Sequence, residues 1–111
     1  MIDYRDNPFS TNEPSYIFQE LMFIATCGSF PEQYEVLIKG NDDILYQVGY
    51  VRLRNGVLSC SYPTVGCSSI YEHKYSFPIG SFPNEPERTY YLNEIAIKIK
   101  QTLEGISYGY S

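Results

Sequence analysis

Residues Tyr50 to Tyr62 read YVRLRNGVLSCSY, an alternation of apolar and polar side chains broken by a single Asn-Gly pair. Side chains that alternate with period two belong to a strand with one buried face. Asn55-Gly56 supplies the two positive φ angles of a type I′ turn, so the stretch reads as a tight hairpin. Its register follows directly: Arg54 is expected opposite Val57, Leu53 opposite Leu58, Arg52 opposite Ser59, Val51 opposite Cys60 and Tyr50 opposite Ser61. Upstream, Gly40 to Asp43 (GNDD) reads as a four-residue loop that sets Ile38 opposite Leu45, Val36 opposite Gln47 and Tyr34 opposite Gly49.

The two registers agree on how the faces divide. Tyr34, Val36, Ile38, Leu45, Gly49, Val51, Leu53, Leu58, Cys60 and Tyr62 fall together as the expected core face, with Gln47 as the polar exception. The opposite face collects Glu35, Leu37, Lys39, Tyr46, Val48, Tyr50, Arg52, Arg54, Ser59 and Ser61. A fourth strand from about Ile70 to Phe77 is expected to complete a meander, with a register that PTVGCSS leaves open.

Two segments carry helix-start chemistry. Asn12-Glu13-Pro14 precedes SYIFQELMFIATCG, and Asn84-Glu85-Pro86 precedes ERTYYLNEIAIKIKQTLEG. Asparagine caps free amides, an acid suits the positive first turn, and proline there forfeits no hydrogen bond. Glu87, three residues after Asn84, completes the pattern of a capping box. Gly28 and Gly105 are the expected C-terminal caps. In the second helix Leu92, Ile95, Ala96, Ile99 and Leu103 form one apolar stripe, with the Glu94/Lys98 pair placed elsewhere. In the first, Ile17, Phe18, Leu21, Met22, Phe23, Ile24 and Ala25 wrap most of the circumference, which predicts burial on more than one side or an interface. The expected architecture is α+β: an antiparallel meander of three or four strands with an N-terminal and a C-terminal helix on one face. One domain is expected over residues 1–111, with 1–11 an extended arm and 106–111 a tail.

Composition narrows the function classes. A net charge of −5 argues against non-specific binding to a nucleic-acid backbone. No apolar run is long enough to span a bilayer and the first residues lack a signal-peptide pattern, so a cytoplasmic protein with no membrane partner is expected. Cys27, Cys60 and Cys67 form no C-x-x-C pair; inert thiols in a reducing compartment are expected, against an alternative metal set of Cys60, Cys67 and His73. No cofactor or metal is assigned. The chain lacks G-x-S-x-G, G-x-G-x-x-G, a phosphate loop and H-E-x-x-H, and the reading is of a non-enzyme, with a small Cys/His enzyme as the least favoured alternative.

Twelve tyrosines with no tryptophan give amphipathic ring surface suited to interfaces. Tyr46, Tyr50, Arg52 and Arg54 are therefore the first candidate binding residues, since guanidinium forks hold carboxylate or phosphate and tyrosines pack or stack beside them. The bland reading is a solvated face on which arginine stems cover their neighbours. With Leu37 and Val48 the strip would also be an exposed apolar patch, which favours a partner or a second copy of the chain. Asn84, Arg88 and Tyr91 form a second candidate site, at a helix N-terminus where an anion such as a nucleotide phosphate is favoured. Capping plus docking of Phe82 is the structural reading of the same residues.

The run PEQYEV, followed by VGYVRLRNG and PERTYYLNEI, resembles small bacterial and phage proteins that carry a Pro-Glu-Gln-Tyr segment, a Gly-Tyr-x-Arg-x-Arg strand and a Glu-Arg helix. The resemblance spans about Pro31 to Ile95. It implies an inhibitor of a host defence system acting by contact with a host protein or protein complex. The alternative it implies is a sponge that sequesters a phosphorylated (cyclic) nucleotide signal.

Overall fold

The computed structural model describes residues 2–3, 16–26 and 31–109. Seven strands precede one helix: β1 (Ile2–Asp3), β2 (Tyr16–Phe18), β3 (Leu21–Ala25), β4 (Glu32–Lys39), β5 (Leu45–Arg54), β6 (Val57–Tyr62), β7 (Ser68–Lys74) and α1 (Glu85–Gly109). Strands β2 to β7 lie in sequence order as an antiparallel meander, and β1 pairs with Tyr46 and Gln47 of β5. The fold is α+β, as the sequence predicts, but the sheet is wider than three or four strands and, among the described residues, the expected N-terminal helix is not found.

That helix is replaced by the β2–β3 hairpin. Phe18 pairs with Leu21 and Tyr16 with Phe23 across a two-residue turn, and both turn residues, Gln19 (φ 53°) and Glu20 (φ 67°), are left-handed. A type I′ turn built on Gln-Glu carries no sequence signature, because the usual Asn and Gly are missing. The apolar run misleads for a second reason. In β3, Leu21 and Phe23 join the main core while Ile24 joins a separate buried cluster, so an interior strand hydrophobic on both faces imitates an all-round apolar helix. The Asn12-Glu13-Pro14 cap and Gly28 lie outside the described residues.

The β5–β6 hairpin forms in the predicted register, all five pairs from Tyr50↔Ser61 to Arg54↔Val57. Asn55 (φ 53°) and Gly56 (φ 76°) make its turn. The tip is held by the chain that follows β7, because Gly56 N–H donates to the Ile79 carbonyl (2.8 Å) and its carbonyl accepts from Tyr75 N–H (2.7 Å). A Cβ at Gly56 would collide with the Phe77 carbonyl. That bond also turns the chain at Tyr75, so the last strand is Ser68–Lys74, displaced from the expected Ile70–Phe77.

The β4–β5 register differs from the prediction. Gly40 N–H bonds Ile44 C=O and Lys39 pairs with Leu45, one step out of the expected phase. A bulge then restores the expected facing but not the expected pairs: Leu37 pairs with Gln47, Val36 with Gly49 and Tyr34 with Val51, leaving Val48 as an extra residue. Val48 and Gly49 consequently both face the helix. Val48 is fully buried there, and a Cβ on Gly49 would stand 2.8 Å from Ile99 Cδ1, so glycine is what admits the helix at this point.

Helix α1 begins as predicted, with Asn84 Oδ1 accepting the Glu87 amide (2.9 Å). Its stripe of Leu92, Ile95, Ala96 and Ile99 is wholly buried, and Leu103 packs at the edge, against Phe23, Val36, Val51, Leu53, Leu58 and Cys60 of the sheet. The helix does not stop at Gly105 but runs to Gly109, so residues 106–109 are helical and not a tail. Nothing lies within 4 Å of a Cβ on Gly105, which makes it an exposed helical position with no cap duty. No helix among the described residues is long and apolar enough to cross a membrane.

The hairpin reading of residues 16–25 is tested by Glu20→Gly. Relief of a left-handed glutamate should raise stability by about 1 kcal/mol in urea unfolding. Loss of about that amount, the effect of glycine inside a helix, would restore the helical reading.

Candidate functional site

The face opposite α1 carries Gln33 and Glu35 of β4, Tyr50, Arg52 and Arg54 of β5, and Ser59 and Ser61 of β6, paired row by row as Glu35↔Tyr50↔Ser61 and Gln33↔Arg52↔Ser59. Three of the four candidate residues on this strand are thus on one face, as the hairpin predicts. Tyr46 is not. It pairs with Ile38, which packs on the helix-side core, because Val48 inverts the alternation between them. Its hydroxyl donates to Asp42 (2.6 Å). The expected exposed apolar patch is also absent: Leu37 and Val48 are fully buried, Leu37 in a small cluster with Ile24, Met22 and Leu45.

What remains is polar and positively charged. The Tyr50 hydroxyl donates to Gln33 Oε1 (2.7 Å), which anchors the ring, and the Arg52 guanidinium carbon stands 5.8 Å from that ring's centroid. Arg52 Nε is buried and has no hydrogen-bond acceptor. Tyr50, Arg52, Ser59, Ser61, Val65 and Gly66 line a hollow of about 290 Å³. A larger one of about 560 Å³ lies at the end of the sheet, where exposed Arg54 meets Pro31, Asn55 and the Pro78–Ser81 segment. Neither arginine has an ion-pair partner among the described residues.

The second candidate site is closed by its own contacts. Asn84 is spent on the cap. Arg88 forks onto Glu32, with Nε to Oε2 at 2.7 Å and Nη2 to Oε1 at 3.1 Å, and Nη1 also bonds Glu85. Glu32 further accepts from the Tyr34 hydroxyl (2.6 Å) and the Phe82 amide (3.1 Å). Burial works to raise the Glu32 pKa, but the bonds from Arg88, Tyr34 and Phe82 outweigh it and hold the carboxyl below its ordinary value. The hydrogen bond to Glu32, partly offset by burial, raises the Arg88 pKa in turn. Tyr91 stacks on His73 (4.7 Å between centroids) and on Phe82 (6.1 Å), with its hydroxyl 3.2 Å from His73 Nε2. Arg88 and Tyr91 are therefore structural, and an anion at this helix end would have to displace Glu32.

The thiols offer little chemistry. Cys60 is buried in the core, and that burial pushes its thiol up to about 12, so no thiolate is present at neutral pH. Cys67 is exposed, Cys27 lies outside the described residues, and no three His, Cys, Asp or Glu side chains among those described converge as a metal set.

Sequence reasoning missed Glu32, although a signal was there. Glu32 shares the phase of Tyr34 and Val36, and an acid on a core face demands a partner. It also left Ser59 and Ser61 as bystanders, while nothing local announced that Val65 and Gly66 would fold against them. Comparisons with family models, with curated proteins and with solved structures find no match.

Replacing Arg88 by alanine strands a buried carboxylate and should cost about 3–5 kcal/mol in chemical unfolding, and Arg88→Lys should recover only part of it because an ammonium cannot fork. The lowered Glu32 pKa makes stability acid-sensitive: the contribution is present at neutral pH and is lost as pH falls from the unfolded carboxyl value, about 4.3, through the lower folded one. Glu32→Gln should flatten that acid slope, and an unchanged slope would assign it to other groups. Iodoacetamide should label native Cys67 but reach Cys60 only after unfolding.

Proposed function

We propose that this chain is a non-enzymatic binding protein whose contact surface is the sheet face around Tyr50, Arg52 and Arg54. The observation that carries this reading is the unspent charge there. Arg88 is engaged by Glu32 and Glu85, whereas Arg52 and Arg54 project from a single face and have no ion pair among the described residues, although Glu35 shares that face. A guanidinium with no acid paired to it is open to a partner that brings a carboxylate or phosphate. Tyr50, fixed by Gln33, supplies a rigid ring beside the guanidinium, the pairing that dominates protein interfaces energetically. The resemblance to phage and bacterial proteins directs the proposal to a host protein or complex and to inhibition by occupancy. Tyr46 and the Asn84–Tyr91 segment are not part of this surface.

Affinity capture from bacterial lysate, wild type against the Arg52→Ala/Arg54→Ala double variant, tests the proposal. The expected outcome is a partner retained by the wild type and weakened at least about thirtyfold in the variant, the effect of losing a hot spot. Circular dichroism and thermal midpoint should change little. Identical capture by both proteins would remove this face from consideration.

A further inference from the structure

We propose that the hollow bounded by Arg52, Ser59 and Ser61 is a seat for one phosphoryl group. This inference rests on the reading of the surrounding face as the contact surface and names the chemistry that the face recognises. Three donor-bearing residues line the hollow from adjacent strands, Arg52 from β5 and Ser59 and Ser61 from β6, set on one face by the Arg52↔Ser59 and Tyr50↔Ser61 pairing. A phosphate monoester presents three terminal oxygens, which match a guanidinium fork plus two hydroxyls better than the two oxygens of a carboxylate do.

The guanidinium is already oriented. It lies against the Tyr50 ring at 5.8 Å, the ring is tied to Gln33, and the buried Nε has no acceptor of its own. Little side-chain freedom remains to be lost on binding, and an incoming oxyanion meets a guanidinium that has no ion pair among the described residues.

Size and charge limit what enters. About 290 Å³ falls at the lower edge of small-molecule pockets, room for one phosphoryl group and its ester atoms but not for a long polyanion. The chain's net charge of −5 also opposes a polyanion. The acids on this face do not close the seat. Glu72, opposite Ser59, is paired with Lys74 at 3.8 Å, and Glu35 stands in the Tyr50 row, across that ring from β6. Val65, 54% exposed, and Gly66 form the opposite wall, an apolar lip for whatever carries the phosphate.

The test follows the arginine Nε–Hε resonances of the full chain by ¹⁵N–¹H spectroscopy during titration with inorganic phosphate, phosphoserine, adenosine monophosphate and acetate. Arg52 Nε–Hε should move saturably with the phosphate probes while Arg54 stays in place. Ser59→Ala should weaken that response about tenfold, and in Arg52→Lys the backbone amides of Ser59 and Ser61, which should shift with phosphate in the wild type, should no longer move saturably. Tighter binding of phosphoserine assigns the seat to a phosphorylated protein, and tighter binding of the mononucleotide assigns it to a nucleotide. Parallel, unsaturable movement of both arginines would mean screening only and would overturn the seat, as would an equal saturable response to acetate. If phosphate titrations are flat while Arg52→Lys and wild type capture the same partner, the phosphoryl seat fails and the contact face stands. If phosphate binds but the Arg52→Ala/Arg54→Ala variant loses no partner, the contact face fails instead.

Discussion

The Glu32 carboxylate joins the start of β4 to Phe82 and Arg88, 50 and 56 residues further along the chain. It sits at the start of β4 and accepts hydrogen bonds from Arg88 in the first turn of α1, from the amide of Phe82 in the loop before it, and from Tyr34 on its own strand. A buried carboxylate is tolerable only when its lone pairs are filled, so the position of the helix end is set by an electrostatic requirement as much as by its apolar stripe. The burial of Phe82 beneath the Arg88 guanidinium, 5.8 Å away, follows from the same arrangement. This pairing is also why the helix N-terminus is unavailable to an external anion.

A second constraint acts at one residue. By adding Val48 to β5, the bulge turns over the facial assignment of everything before it, so that Tyr46 joins the helix side while Leu45 and Gln47 move to the other. Ile99 can then approach the backbone at Gly49, and the middle of the sheet becomes the closest point of contact with α1. The outer face is divided by the same event. Near the bulge it is apolar and buried around Leu37, and beyond it the face is polar and carries Tyr50, Arg52 and Arg54.

The economy of positive charge gives the outer face its meaning. The two arginines of β5 differ from Arg88 only in what the fold places beside them, because all three have the same chemistry and only Arg88 meets acids. A chain of net charge −5 thus leaves two guanidinium groups on one face without an ion pair among the described residues.

The Asn55-Gly56 hairpin, its five-pair register, the facing of Arg52 and Arg54, the Asn84 cap and the apolar stripe of α1 were all determined by the sequence, since each depends on local φ preferences or on a period visible within about a dozen residues. The β2–β3 hairpin was not legible, because its turn uses Gln19 and Glu20 and its strand is covered on both sides, and local rules count only one kind of burial. Nor was the bulge at Val48, since a single inserted residue costs little and is decided by which face the neighbouring strands and the helix reward. The fate of the candidate site was likewise tertiary. Arg88 and Arg52 look alike in sequence, and only the long-range placement of Glu32 decides that Arg88 is consumed within the fold.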